Sequence, residues 1–213
     1  MKLTILCLIS SLVWGACSQQ RLNFSNRSVS GQSASENTRE QVSDAEKEMM
    51  LSSTLVWKRY RAFESGVSNA MGLDAEQICT ELGQHSCINK AHLTVLGGNE
   101  PFENGQYERA ERPSALTPLA IDRVIISACS QRIAMDKAGN PQVFTYFPLG
   151  ASSVNGEQVK QQATALYQRF LARDPSSEEL GLLVEYSGKA GTAAQAAFSL
   201  CFAIGTHMEN IFL

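Results

Sequence analysis

Apolar residues recur every three or four positions along most of the chain after residue 42, which is the spacing of one buried helix face. Short segments rich in glycine, proline or polar residues interrupt this spacing and separate the predicted helices. The predicted helices cover residues 43–70, 74–82, 86–96, 117–139, 155–172 and 192–204, and a further helix begins at Ser176 or Ser177. The pattern therefore predicts a small all-α domain over residues 43–213.

The first predicted helix begins where the polar N-terminal part of the chain ends. Ser43 and Asp44 can cap its start, and Gly72 suits its end. Its apolar residues fall close to helical spacing, so we expect them to share one stripe that faces the core: Leu51, Leu55, Tyr60, Phe63 and Val67.

The central helix has the clearest end signals. Thr117 suits its N-cap, Pro118 suits its first turn and Gly139 suits its C-terminal end. The residues that we expect to face the core from this helix are Leu119, Val124, Ile125, Ala128, Cys129 and Ile133.

One segment, residues 142–147 (QVFTYF), has the composition of a β-strand. A single strand cannot form a sheet, and no second strand is predicted beside it. We expect it to pack on the helices as an extended segment.

The N-terminus has the pattern of an export signal. Lys2 precedes an uncharged apolar run over residues 3–13, which is too short to span a bilayer comfortably, and small residues follow it. The sequence therefore predicts a cleaved signal peptide over residues 1–16.

The end of this segment, VWGAC, resembles the lipobox of bacterial lipoproteins, although Trp14 stands where that pattern has leucine or a similar residue. The resemblance implies cleavage before Cys17, which would then carry lipid on its sulfur and its amino group. An ordinary signal peptide cut after Ala16, with Cys17 as a free thiol, is the alternative. Ser18 follows the cysteine and, by the resemblance, favours the outer membrane over retention in the inner membrane.

Residues 17–42 are rich in serine, asparagine and glutamine and hold few large apolar residues. Such a composition cannot bury enough surface to offset the entropy of ordering. We interpret this stretch as a flexible, lipidated tether to the domain. The chain has a formal net charge of −3, and loss of Lys2 with the signal would make it more negative, which gives no support to nucleic-acid binding.

Four cysteines fall within the predicted domain: Cys79, Cys87, Cys129 and Cys201. An even number in an exported protein favours disulfides, and four cysteines allow three pairings. We favour Cys79–Cys87 with Cys129–Cys201, because the first bond would staple two short helices across a turn and the second would join the central helix to the last.

The stretch CTELGQHSCINKAH, residues 79–92, also contains His85 and His92 and raises the question of metal or redox chemistry. Haem attachment needs Cys-x-x-Cys-His, a thiol redox pair is normally Cys-x-x-Cys, and zinc ligands typically lie two to four residues apart. The two cysteines are eight positions apart and match none of these spacings. A structural disulfide clip is therefore favoured over a metal or redox site, and we expect no cofactor.

Catalytic motifs give little support to an enzyme. The chain has three histidines, and neither Gly-x-Ser-x-Gly nor Ser-x-x-Lys occurs in it. We assign no catalytic residue.

The long polar loop over residues 99–115 is a candidate binding surface. Phe102 and Tyr107 are its available aromatic contacts, and a disulfide beside the loop would hold them at low entropic cost. Its glutamates could instead collect calcium, but their spacing is not that of an EF-hand, so a solvated loop is favoured: Glu100, Glu103, Glu108 and Glu111.

Residues 166–180, LYQRFLARDPSSEEL, resemble a helix pair with the pattern LYxRxLxRxPxxEEL in bacterial secreted families of unknown function. The resemblance covers about 45 residues once its weaker continuation towards the C-terminus is included. It implies a packing scheme in which two helices meet at an Arg-Asp-Pro turn, and it implies no activity.

Together these features favour a non-enzymatic envelope lipoprotein that binds or scaffolds another component of an envelope, surface or motility assembly. The expected partners are the membrane, through the lipid, and another envelope protein or peptidoglycan. One alternative is a periplasmic hydrolase acting on envelope polymers, which a cleft holding His92 or a glutamate pair with a perturbed pKa would favour. A second is an accessory to periplasmic electron transfer, because the similar helix pairs sometimes accompany cytochrome-like domains.

Overall fold

The computed structural model describes residues 56–103 and 105–213. Five longer helices are α1 (Tyr60–Met71), α3 (Thr117–Ala138), α4 (Gly156–Leu171), α5 (Ser177–Ser187) and α6 (Ala193–Gly205), and two four-residue helices are α2 (Ala75–Ile78) and α7 (Met208–Ile211). Between α2 and α3 lie the antiparallel strands β1 (Thr80–Glu81) and β2 (His85–Ser86) and a π-helical turn at Cys87–Ala91. The described part of the chain is therefore a mostly helical domain with one small hairpin.

Four of the predicted features lie outside these residues. The predicted signal peptide, Cys17, the tether and the part of the first predicted helix before Val56 all belong to residues 1–55, which the structure does not describe.

The centre of the core is the contact between α3 and α6. Cys129 of α3 and Cys201 of α6 form a disulfide with their Cα atoms 6.0 Å apart, as the favoured pairing predicts. Both residues are fully buried, with Val124 and Leu200 beside them in the same apolar cluster. The residues expected to face the core from α3 are all buried except Leu119, which is 64% exposed.

The first predicted helix is not continuous through residues 56–59, which are extended. Val56 and Leu213 exchange two backbone hydrogen bonds, of 3.2 and 2.7 Å, and Lys58 N–H donates to the carbonyl of Ile211 at 2.9 Å. A residue whose backbone pairs with a distant segment in extended geometry cannot also make helical hydrogen bonds. Helix α1 therefore starts at Tyr60.

The predicted helices over 74–82 and 86–96 are wrong for most of their length. Leu82 and Gly83 both adopt positive φ, 52° and 69°, and this tight turn folds β1 back on β2. A helix cannot continue through two left-handed residues. The Cys79–Cys87 disulfide, with a Cα separation of 5.3 Å, closes the base of the hairpin. It is the other bond of the favoured pairing.

The strand-like segment, residues 142–147, packs without a strand partner among the described residues. Asp136 accepts hydrogen bonds from the backbone N–H groups of Gln142, Val143 and Phe144 at 2.8–3.0 Å. The Gln162 amide donates to the carbonyl of Val143 at 2.9 Å. Buried side chains thus satisfy the backbone groups that a neighbouring strand would otherwise pair.

An arginine in the turn between α4 and α5 connects three elements. Arg173 forms ion pairs with Glu179 of α5 at 2.8 Å and with Glu209 of α7 at 2.7 Å, and its guanidinium lies 5.1 Å from the ring centre of Tyr167. Ser176, one of the two serines expected at the start of this helix, is the N-cap of α5 and shares a capping box with Glu179.

Replacement of Glu179 by glutamine is expected to remove an acid-sensitive part of the stability. Hydrogen bonds from Arg173 and Ser176 lower the pKa of Glu179 from 4.5 to about 2. A carboxyl with a depressed folded-state pKa stabilises the protein above its unfolded pKa, and this contribution is lost as the pH falls through the folded value. We therefore expect the Tm of the native protein to exceed that of E179Q at neutral pH.

Thermal melts between pH 7 and pH 2 measure this difference, which should shrink below about pH 5 and vanish near the folded-state pKa. Glu185→Gln is the matched control, because Glu185 pairs with Lys189 on an exposed helix surface. A difference in Tm between the native protein and E179Q that does not change with pH would contradict the lowered pKa of Glu179.

Candidate functional site

An apolar groove lies between the first half of α3 and the turns after the π-helical segment. Its volume is about 420 Å³. Leu116, Leu119 and Ile126 line it on the helix side, and His92 and Val95 line it on the opposite wall. We call the site formed by these five residues the groove.

The helix side of the groove presents large apolar side chains to solvent. Leu116 is 60% exposed, Leu119 is 64% exposed and Ile126 is 43% exposed. Leu116 directly precedes α3, and the spacing of Leu119 and Ile126 places them on one face of the helix, opposite the buried face that holds Val124 and Ala128. Contiguous exposed apolar surface on a folded domain is typical of an interaction site.

The opposite wall is held in place from both neighbouring helices. Thr117 Oγ1 donates to the carbonyl of Val95 at 2.9 Å, and Tyr60 N–H donates to the carbonyl of Leu96 at 2.8 Å. Gly97 comes next with φ +79°, and a Cβ there would lie 2.9 Å from Cη2 of Trp57. The wall is therefore anchored to α3 and to the segment that leads into α1.

An ion pair joins the hairpin to the groove. Arg123 of α3 contacts Glu81 of β1 at 2.6 Å, with the glutamate mostly buried and the arginine half exposed. Because the Cys79–Cys87 disulfide closes the hairpin, Glu81 is presented from a braced element. Asp122 and Arg123 supply the polar edge of an otherwise apolar site.

His92 supplies an ionisable side chain to the groove wall that faces α3. Its Nε2 atom is enclosed and has no hydrogen-bond partner among the described residues. Burial lowers the pKa of His92, Arg123 lowers it further, and Glu81 opposes the change. The imidazole is therefore neutral at neutral pH, and it adds a polar atom to the site without adding a charge.

The predicted loop contacts are exposed but do not line the groove. Phe102 is 96% exposed and Tyr107 is 78% exposed. An ion pair between Lys90 and Glu103, at 3.0 Å, holds the loop to the π-helical turn. The role of Phe102 and Tyr107 in binding stays a prediction.

Sequence reasoning missed the groove because it placed Leu119 in the core. A signal was present: Leu116, Leu119 and Ile126 form a second apolar stripe that is out of phase with the stripe through Val124 and Cys129. A helix with two apolar faces is expected to use both.

Two further observations concern chemistry and membranes. Within residues 56–103 and 105–213, no three histidine, cysteine, aspartate or glutamate side chains are grouped so that they could hold a metal ion. Of the helices that the structure describes, none has both the length and the hydropathy of a membrane span.

A second cavity, of about 440 Å³, lies at the start of α6. Phe198 is its only large apolar lining residue, and Lys189, Gln195 and Ser199 make much of the rest polar. It therefore lacks the continuous apolar strip of the groove.

Comparison with known proteins identifies no relative: no family model, no curated protein and no solved structure matches this chain.

Proposed function

We propose that this chain is a non-enzymatic bacterial envelope lipoprotein, anchored in the outer membrane through Cys17, that binds an apolar segment of another envelope protein in its groove. The observation that supports binding is the exposed strip of Leu116, Leu119 and Ile126 on a rigid helix. The observation that supports the anchor is the lipobox-like ending of the apolar N-terminal run.

The groove suits a protein segment better than a glycan. Along α3 the strip from Leu116 to Ile126 covers about 15 Å, which is about three helical turns. An amphipathic helix lays apolar residues at i, i+3 and i+7 into a groove of this kind. Peptidoglycan is more polar and would leave the three apolar side chains without matching surface.

A second candidate, a hydrolase that uses His92 as a base, has one observation in its favour, since the pKa of His92 is perturbed and the residue lines a groove. The geometry favours binding instead. The enclosed Nε2 has no hydrogen-bonded carboxylate to orient the imidazole, and the surface beside it is apolar.

The mature protein is expected to begin at Cys17 and to carry lipid there. Two or three acyl chains, at about 0.8 kcal/mol per buried CH₂, would hold it firmly on a membrane. Intact mass spectrometry of protein purified from the membranes of its native host tests this. Cys17→Ser is the control and should abolish the added mass, whereas an unmodified chain that begins at Cys17 would contradict the anchor.

Leu119→Asp is expected to weaken partner binding by about tenfold or more, because it places a charge in the middle of an apolar contact. The measurement is quantitative mass spectrometry of proteins crosslinked to the lipoprotein in intact cells. Leu182→Asp is the matched control, since Leu182 is 67% exposed on α5, outside the groove.

The same experiment separates the groove from the loop surface that holds Phe102 and Tyr107. A Phe102→Ala/Tyr107→Ala variant that loses the partner while Leu119→Asp keeps it would move the binding site to the loop. Equal partner recovery with Leu119→Asp and Leu182→Asp would contradict binding in the groove.

Purified sacculi added to the protein test the alternative of a hydrolase that acts on peptidoglycan. Release of soluble fragments that His92→Ala abolishes would favour the hydrolase.

A further inference from the structure

The tip of the hairpin places a leucine in the left-handed region of backbone conformation. Gln84 N–H donates to the carbonyl of Glu81 at 3.0 Å, which closes a turn with Leu82 and Gly83 at its centre. Both central residues have positive φ, 52° for Leu82 and 69° for Gly83. Hairpin turns of this kind favour Asn-Gly or Gly-Gly, because the Cβ of most residues crowds the backbone in this region. Leucine at this position therefore raises the free energy of the folded state.

Contacts within the domain do not offset this cost. The Leu82 side chain is 91% exposed, so it contributes almost nothing to the core. Two other described non-glycine residues have positive φ, Asn140 and Ala172. Asparagine tolerates the left-handed region through local hydrogen bonds, and alanine exposes only a methyl group. Of these three residues only Leu82 presents a large apolar side chain to solvent, so any gain from it lies outside the folded domain.

The hairpin holds this side chain rigidly beside the groove. The Cys79–Cys87 disulfide and a backbone hydrogen bond of 3.0 Å between the same two residues close its base. The residue before the tip, Glu81, contacts Arg123 at the polar edge of the groove at 2.6 Å. The same carboxylate acts on the pKa of His92 in the opposite wall. The tip is therefore fixed next to the groove by a braced element.

We propose that Leu82 is a second contact residue for the protein partner of the groove and becomes buried when that partner binds. Burial of a leucine side chain gains free energy comparable to, or larger than, the cost of the left-handed conformation. The hairpin is already ordered, so binding fixes little further backbone. The nature of the partner, an apolar segment of a protein, rests on the proposed function, and the contact at Leu82 deepens that function.

Leu82→Asn is expected to stabilise the fold and weaken binding at the same time. Asparagine suits the first central position of the turn, so the Tm of the full chain in detergent should rise by about 2–4 °C. The substitution also removes the apolar side chain, so partner capture should fall several-fold. The two changes have opposite signs, which a purely structural role for Leu82 would not produce.

Partner capture is measured in intact cells with the photoreactive residue benzoylphenylalanine at position 119, which keeps an apolar side chain there. Chains with and without Leu82→Asn are irradiated, and mass spectrometry gives the yield of the protein crosslinked to position 119. In a separate chain, benzoylphenylalanine at position 82 should crosslink the same protein. Position 182 is the control for exposure, because Leu182 is 67% exposed and lies outside the groove.

Two further variants separate the effect of the backbone from that of the side chain. Leu82→Met keeps a long apolar side chain in the same conformation, so both the Tm and the capture should stay near the native values. Ala172→Asn makes the same kind of change at a left-handed residue that does not line the groove, and it should leave capture unchanged.

Unchanged capture with Leu82→Asn would overturn the proposal, and so would an unchanged or lower Tm. A crosslink from position 82 to lipid or to a second copy of this chain, in place of the partner, would also overturn it. If position 119 captures the partner and position 82 does not, the inference fails and the proposed function stands. If position 82 captures a protein and position 119 does not, binding in the groove fails and the contact at Leu82 stands.

Discussion

Asp136→Ala is expected to destabilise the domain by about 3–5 kcal/mol, which is the usual cost of breaking a buried ion pair from one side. Asp136 and Arg132 contact each other at 2.6 Å, one helical turn apart on α3, and both side chains are almost fully buried. Without the carboxylate, the guanidinium would remain buried and uncompensated.

The same carboxylate organises the chain after α3. Its two oxygens accept the backbone N–H groups of Gln142, Val143 and Phe144. Alanine would leave these donors unsatisfied beside Phe144, which is fully buried. The segment over residues 142–147 would then lose the group that holds it on the helices.

Urea denaturation at neutral pH measures the effect. Asp136→Asn retains the shape and one acceptor oxygen, so it should lose less than alanine. Asp122→Ala is the matched control on the same helix, because Asp122 lies at the edge of the groove, and it should change the free energy of unfolding by less than about 0.5 kcal/mol. A loss below about 1 kcal/mol for Asp136→Ala would show that water replaces the carboxylate at little cost.

The second large effect is expected from Cys129→Ala/Cys201→Ala, which should cost more than about 4 kcal/mol in oxidised protein. The bond closes a separation of 72 residues, and the chain-entropy model relates stabilisation to the logarithm of loop length. Removal of two fully buried sulfur atoms at the contact between α3 and α6 adds a cavity term.

Cys79→Ala/Cys87→Ala is the matched comparison, because it has the same chemistry but a separation of 8 residues. The same model gives about 2.5 kcal/mol for it. Denaturation curves of both variants and the native protein, measured without reductant, give the loss in free energy of unfolding for each variant. A larger loss for the hairpin pair would contradict the chain-entropy account and indicate that the hairpin organises the core.

The success of each sequence prediction depends on the range of the interactions involved. Ser176 as the N-cap of α5 and the end of α4 near residue 171 depend on residues within one turn, and both are found. The break in the first predicted helix at residues 56–59 depends on the pairing of Val56 with Leu213, which are far apart in the chain, and the predicted continuity there is wrong. The hairpin was missed because the left-handed turn at Leu82 has no local signal apart from Gly83.

The sequence by itself determined the mostly helical character of the domain, the glycine that ends α3, the start of α5 and the preference for two disulfides in this pairing. Periodicity and capping are local properties, so they can be recognised without knowledge of the fold. It also contained the apolar residues of the groove, but not their orientation.

Only the tertiary structure decided which face of α3 is buried. The contact with α6 and the Cys129–Cys201 bond set the rotation of the helix, and this rotation turns Leu116, Leu119 and Ile126 outward. Both apolar stripes are compatible with a core when α3 is considered alone. The choice between them is made by packing between distant segments, which no local pattern records.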